Sequence, residues 1–119
     1  RFSHIYSTSK IEIGKKVLMA DKVYLSDNLH GYQNIDLPVI DQPIRQTNPV
    51  MIGDGAWIGE NVCVIGASVG KNSVIGANSV VTKDIPDYCI AVGSPAVIIK
   101  RYNADTKQWC KTDKEGQFI

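Results

Sequence analysis

The sequence predicts an all-β solenoid built of six-residue turns, and three observations carry that prediction. From Ile52 onward an aliphatic residue recurs at 52, 58, 64, 69, 75 and 81, a spacing of six with one interval of five between Val64 and Val69. A small or β-branched residue stands four places after each, at Ala56, Val62, Ser68, Ser73, Ser79 and Ile85. Turn-forming pairs fall between them: Asp54-Gly55, Glu60-Asn61, Lys71-Asn72 and Lys83-Asp84. Six is not a helical period, but it accommodates the alternation of a strand plus a corner. Each hexad is therefore a very short strand and a turn, and successive coils stack about 4.8 Å apart. The aliphatic positions fill a narrow core while neighbouring coils satisfy one another's backbone groups. A β-sandwich would place its turn signals about 8–12 residues apart instead.

Upstream the rhythm is looser. Ile13, Met19 and Leu25 hold the aliphatic position, with Val17, Val23 and Leu29 in the fourth place after each. Extrapolation puts Ile11 and Ile5 inward too, but sets Ser7 and Arg1 on aliphatic sites, which reads as a fraying end or a coil whose first part was cut off. The repeat stops after Leu29 and resumes near Val50. Residues 31–49 hold three of the five prolines, show no clear period, and form an extruded loop; such a loop in a repeat protein is usually functional. If Leu29 points inward, His30 points outward at the root of this loop. The last coil closes over Val81–Pro86, and Pro86 and Pro95 bracket a return segment. A tail over 102–119 caps the solenoid, lying over its end or starting a short helix at Asn103. The organisation is one domain over 1–101, with the loop inserted, followed by that tail.

Composition excludes several classes. A chain of 119 residues is one domain, and 13 Lys and Arg against 12 Asp and Glu leave a net charge of +1. That balance removes the case for a general nucleic-acid or membrane-surface binder. No apolar run approaches the roughly 18 residues of a membrane-spanning helix. The chain begins at Arg1 rather than Met, so a piece upstream is expected to be missing. Cys63, Cys89 and Cys110 are odd in number and lack metal-site spacing, which points to a reducing, cytoplasmic setting without a disulfide framework. Two histidines are too few for a zinc site of about three histidine ligands, and no metal is expected. The stretch from Gly66 to Lys71 is one residue short of a phosphate loop. Cys63 points outward, but no base lies nearby in sequence to activate it.

Of the two histidines, His4 lies in the frayed start and reads as a surface residue. His30 reads either as a surface histidine capping a turn or as a general base. Imidazole, with an unperturbed pKa of about 6.5, suits proton removal from an alcohol near neutrality.

Residues 11–101 resemble the hexapeptide-repeat acyltransferases, in the sugar O-acetyltransferase branch that includes maltose and galactoside acetyltransferases. The resemblance is carried by SDNLHGY (26–32), IGDGAWIGENV (52–62), SVIGANSVVTKDIP (73–86) and AVGSPAVIIKR (91–101). It implies a left-handed parallel β-helix; the hand comes from the resemblance alone, since parallel crossovers generally favour the opposite one. It also implies acetyl-CoA as acetyl donor, a sugar or polysaccharide-precursor hydroxyl as acceptor, and His30 as the base. Asp27, Asn28 and Tyr32 would meet the acceptor, and Asp27, Asn28 or a backbone carbonyl would orient the imidazole. Gly59, Gly76 and Ala77 are small corner residues suited to the pantetheine arm. Trp57 would stand near the active site or pack against a neighbouring subunit or the loop. Thr82, Lys83, Lys100 and Arg101 would hold the nucleotide end, although Val97 stands where relatives often carry Arg. The resembling enzymes are homotrimers with sites between subunits. The alternatives are N-acetylation of an amino sugar, acetylation of serine, and a non-catalytic β-helix scaffold.

Overall fold

The computed structural model describes residues 2–119; Arg1, set by the extrapolated rhythm on an aliphatic site, lies outside the described residues. Very short strands follow one another around three faces. Strand β1 (His4–Tyr6) precedes β2 (Ile11–Ile13), β3 (Leu18–Met19) and β4 (Tyr24–Ser26). A hairpin of β5 (Asn28–His30) and β6 (Ile44–Gln46) then leaves the stack. The rungs resume with β7 (Val50–Ile52), β8 (Trp57–Ile58) and β9 (Cys63–Ile65), then β10 (Val74–Ile75), β11 (Val80–Val81) and β12 (Cys89–Gly93).

Pairing between successive coils is parallel. On the first face β2 pairs with β7, and single bridges carry the ladder on through Val69 to Ile85. The second face stacks β3, β8, β10 and β12, with Leu18, Trp57, Val74 and Ile90 in register. The third stacks β1, β4, β9 and β11. Going round the three faces once per coil produces the six-residue rhythm, because each face contributes one strand and one corner.

The inward column is as the period predicts from coil two onward. Ile52, Ile58, Val64, Val69, Ile75 and Val81 are all buried, together with Ala56, Val62 and Ile85. Burial of each aliphatic side chain contributes about 1.5–3 kcal/mol. The buried serines Ser73 and Ser79 are bonded to the coil above. Ser73 Oγ donates to the Pro86 carbonyl (2.6 Å) and accepts from the Cys89 N–H (3.1 Å), and Ser79 Oγ accepts from the Gly93 N–H (3.0 Å). Corners need a left-handed residue, met by Gly55, Asn61, Asn72 and Asn78 at φ of 73°, 59°, 53° and 64°.

Four expectations are corrected. Ala67, not Ser68, is the buried residue in the five-residue interval, because alternation counts back two places from Val69. Ile5 is half exposed, since β1 has a single neighbour, β4. Leu29 is also exposed, because the chain leaves the stack at Asp27 before Leu29 can turn inward. Finally, the chain from Ala96 forms no helix. Strand β13 (Ala96–Asn103) turns back antiparallel along β12, and β14 (Gln108–Lys111) pairs with β13 in turn. Asn103 Oδ1 caps the connecting turn by accepting from the N–H groups of Asp105 and Thr106.

Nor is the segment 31–49 structureless. Its base is the β5–β6 ladder, with Asn28 opposite Gln46 and His30 opposite Ile44. Its tip carries a single 3-10 turn over Val39–Asp41. The buried Gln42 staples the tip by donating Nε2–H bonds to the Asn34 and Leu37 carbonyls and accepting from the Asn34 N–H. No helix among the described residues is long and apolar enough to cross a membrane.

Candidate functional site

The residues singled out above fall on two edges of the stack and on the returning strand β13. His30 stands at the edge between the third and first faces, on the departing strand β5. It is exposed, and its ring makes no hydrogen bond among the described residues. Tyr32 is exposed just beyond it.

Asp27, expected to meet the acceptor or orient His30, is not in hydrogen-bond contact with the imidazole. It is fully buried, with both carboxylate oxygens taken. Oδ1 accepts from the Thr8 N–H (2.8 Å) and from Asn28 Nδ2 (3.1 Å). Oδ2 accepts from the N–H groups of Ser9 (2.9 Å) and Lys10 (2.7 Å) and from Ser7 Oγ (3.0 Å). Asn28 Nδ2 also reaches the Tyr6 carbonyl at 3.3 Å, so its amide is committed to the same cluster. Burial pushes the Asp27 carboxyl up, but the donors of Thr8, Asn28, Ser9 and Lys10 outweigh it and hold it well below the ordinary value. A carboxyl held low in the folded state stabilises the protein above the unfolded-state pKa, and that contribution is lost as pH falls. Thermal melts at pH 7, 4 and 3 should therefore show stability dropping below about pH 4, the unfolded carboxylate value. Asp27→Asn, less stable at pH 7, should lose less over the same interval. An equal loss in both proteins would assign the acid sensitivity to other carboxylates.

The edge between the second and third faces carries Trp57, half exposed on β8, and the small corner residues. Gly59, however, is buried beneath the next coil. A Cβ there would stand 2.7 Å from the Ile75 carbonyl oxygen and 2.8 Å from the Ala77 nitrogen. Its smallness serves coil stacking, and it is not open to a ligand. Gly76 is partly covered, and a Cβ on it would meet Val92 Cγ1 at 2.7 Å. Ala77 is exposed, and its N–H has no partner among the described residues, so it can donate to a ligand carbonyl.

Thr82 and Lys83 lie one corner further on. They line a cavity of about 440 Å³ with Asp84, Pro95 and Val97, and Lys114 from the tail closes it. Lys114 is a basic residue that sequence reasoning missed, since nothing local marks it and only the folding back of the tail brings it there. The Asp84 carboxylate is engaged by the Ser68 N–H at 2.9 Å. Lys100 and Arg101 do not join this cavity. Being adjacent on a strand they point to opposite faces, and the Arg101 guanidinium lies 5.6 Å over the Phe118 ring. The chain thus brings Thr82, Lys83 and Lys114 together, and Trp57 with Ala77; His30 leaves from the same edge as Thr82 and Lys83, two coils earlier.

Residues 49–83 match the family model described as the hexapeptide repeat of succinyl-transferase. The chain is 41% identical over 117 residues to WbbJ of Escherichia coli K12, whose name describes it provisionally as a lipopolysaccharide biosynthesis O-acetyl transferase. That match covers 92% of this chain and 60% of the relative. Galactoside O-acetyltransferase of the same organism is 36% identical over 97 residues, covering 73% of this chain and 48% of the relative. Among solved structures, a galactoside acetyltransferase in complex with coenzyme A superposes with a TM-score of 0.72 at 32% identity, over 98% of this chain and 62% of that one. A maltose O-acetyltransferase from Clostridium difficile 630 gives 0.64 at 30% identity, over 82% and 66%. The chain spans less than two thirds of the length of these curated relatives.

Proposed function

The chain belongs to the hexapeptide-repeat acyltransferase family, and on that premise we propose that it transfers an acetyl group from acetyl-CoA to a sugar or saccharide hydroxyl with His30 as general base. The observation that carries this reading is an exposed, unengaged imidazole at the root of an ordered hairpin, on a scaffold shared with sugar O-acetyltransferases. The left hand of the β-helix is part of the same proposal, supported by the parallel three-faced stack and by the family.

The residues present fit the acetyl donor. Ala77 offers an unpaired N–H to a pantetheine amide, and Trp57 offers a flat apolar wall beside it. Lys83 and Lys114 supply fixed positive charge for phosphate groups, with Lys114 standing in the cavity where Val97 supplies none. His30 removes the acceptor hydroxyl proton as the oxygen forms its bond to the thioester carbonyl carbon. Backbone N–H groups stabilise the oxyanion. As the carbon–sulfur bond breaks, the imidazolium returns the proton to the leaving thiolate, so the base is regenerated and the products are an ester and free coenzyme A.

Trp57 and Ala77 stand on a different edge from His30, the two edges meet when copies of the chain associate, and we take the working unit to be a homotrimer with sites between subunits. Support comes from exposed apolar side chains that a lone chain leaves in water. Ile35 and Ile40 on the hairpin tip are 94% and 82% exposed, and Leu18 and Trp57 form an outward apolar row. Three free cysteines are in keeping with a cytoplasmic setting.

Acetyl-CoA turnover followed as free thiol, against a panel of mono- and oligosaccharides, tests the reading. Acceptor-dependent release with a base-labile product is expected. A base-stable amide formed from amino sugars alone would replace O-transfer with N-transfer. Absence of coenzyme A binding in calorimetry would leave the scaffold reading in its place.

A further inference from the structure

The His30 hairpin has little of its own to hold it in place. Among the described residues strands β5 and β6 pair with each other and with no third strand, and a two-stranded hairpin is marginal in water. The imidazole makes no hydrogen bond among the described residues, so the position of its ring follows that of the β5 backbone. What fixes that backbone to the coils is found three residues upstream.

Both ends of Asp27 are used. Its carboxylate takes three successive main-chain N–H groups, those of Thr8, Ser9 and Lys10, a concave nest that favours an anion. Its main-chain carbonyl accepts from the Thr47 N–H at 2.8 Å and from Gln46 Nε2 at 2.7 Å, both on the returning side of the hairpin. A hydrogen bond from Thr8 Oγ1 to Gln46 Oε1 closes the ring between the N-terminal segment and the hairpin. One residue therefore joins the segment 7–10, the departing strand and the returning strand.

We propose that Asp27 is a positioning residue for His30, a three-way junction that sets where the imidazole stands relative to the coils and ties the N-terminal segment to that placement. The proposal rests on the reading of His30 as the base. The junction contacts no substrate. It acts by denying the hairpin alternative exits from the stack, and orientation is a steep term, since a displacement of about 1 Å can cost about a hundredfold in rate.

Asp27→Asn tests this. Asparagine keeps the shape but turns one acceptor oxygen into an NH2 donor facing other donors, so the nest loses partners. The expected result is a fall in kcat of about ten- to a hundredfold. The KM for acetyl-CoA and the affinity for coenzyme A should stay at their wild-type values, because Ala77 lies on another edge and Lys83 and Lys114 line a cavity two coils beyond the junction. Hydrogen exchange should accelerate at Thr8, Ser9 and Lys10 and also at Thr47, whose N–H is not bonded to the altered group; acceleration there reports the coupling. An unchanged kcat alongside accelerated exchange would overturn the proposal, as would a loss of coenzyme A affinity in step with kcat. If Asp27→Asn does not fold, Ser7→Ala removes one bond of the cluster and should lower kcat in the same direction with KM unmoved; an unmoved kcat overturns the proposal. His30→Ala, assayed beside them, separates the two readings. Full transfer in that variant removes the base and with it the proposal, while the exchange of Thr47 still reports whether the junction exists.

Discussion

His30→Ala should lower acceptor-dependent thiol release by about 10²- to 10⁴-fold, the usual contribution of a positioned general base. The melting temperature should not move, because the side chain is exposed and makes no hydrogen bond among the described residues. Coenzyme A affinity should also persist, since Ala77 stands on another edge and Lys83 and Lys114 line a cavity two coils beyond the hairpin root. Added imidazole should restore part of the rate, as the hairpin root is open to solvent. Wild-type transfer by a normally folded variant would assign the proton to another group. Among the described histidines that leaves His4, exposed on β1 and stacked on Tyr6 with ring centroids 6.4 Å apart.

Gly59→Ala is the second large effect, and it acts on stability. The added methyl would lie 2.7 Å and 2.8 Å from main-chain atoms of Ile75 and Ala77, which cannot swing aside as a side chain could. Coils two and three would have to separate locally. Overpacking of this kind costs about 1–3 kcal/mol, a drop of several degrees in melting temperature for a domain of this size. The drop should be the same with and without coenzyme A. A variant that melts normally but binds coenzyme A weakly would return Gly59 to the ligand groove, the place its sequence context suggests.

Gly59 shows why the site was harder to read than the fold. Small residues at solenoid corners have two possible causes, close approach of a ligand and close approach of the next coil. Both leave the same Gly in the sequence. Asp27 carries a similar ambiguity. A carboxylate three places before a candidate base looks catalytic, and only the neighbouring segment 7–10, distant in sequence, reveals that its oxygens are already taken. The turn pairs divide the same way. Gly55, Asn61 and Asn72 adopt the left-handed corner that their residue types favour, whereas Asp84 turns its carboxylate to the Ser68 N–H.

What the order of residues settles is the stack itself. Ile52, Ile58, Val64, Val69, Ile75 and Val81 are buried because a period of six returns each of them to the same inward side, and that is a local property of strand alternation and corner chemistry. His30 at the hairpin root was visible for the same reason, as the place where the period breaks. Tertiary structure alone decided that Lys114 joins Lys83, that Arg101 leaves the cation cluster for Phe118, and that Asp27 binds three segments together. Each of these depends on contacts between stretches far apart in the chain, brought together by a folded-back tail or an adjacent coil, and no periodicity encodes which distant partner a polar side chain will meet.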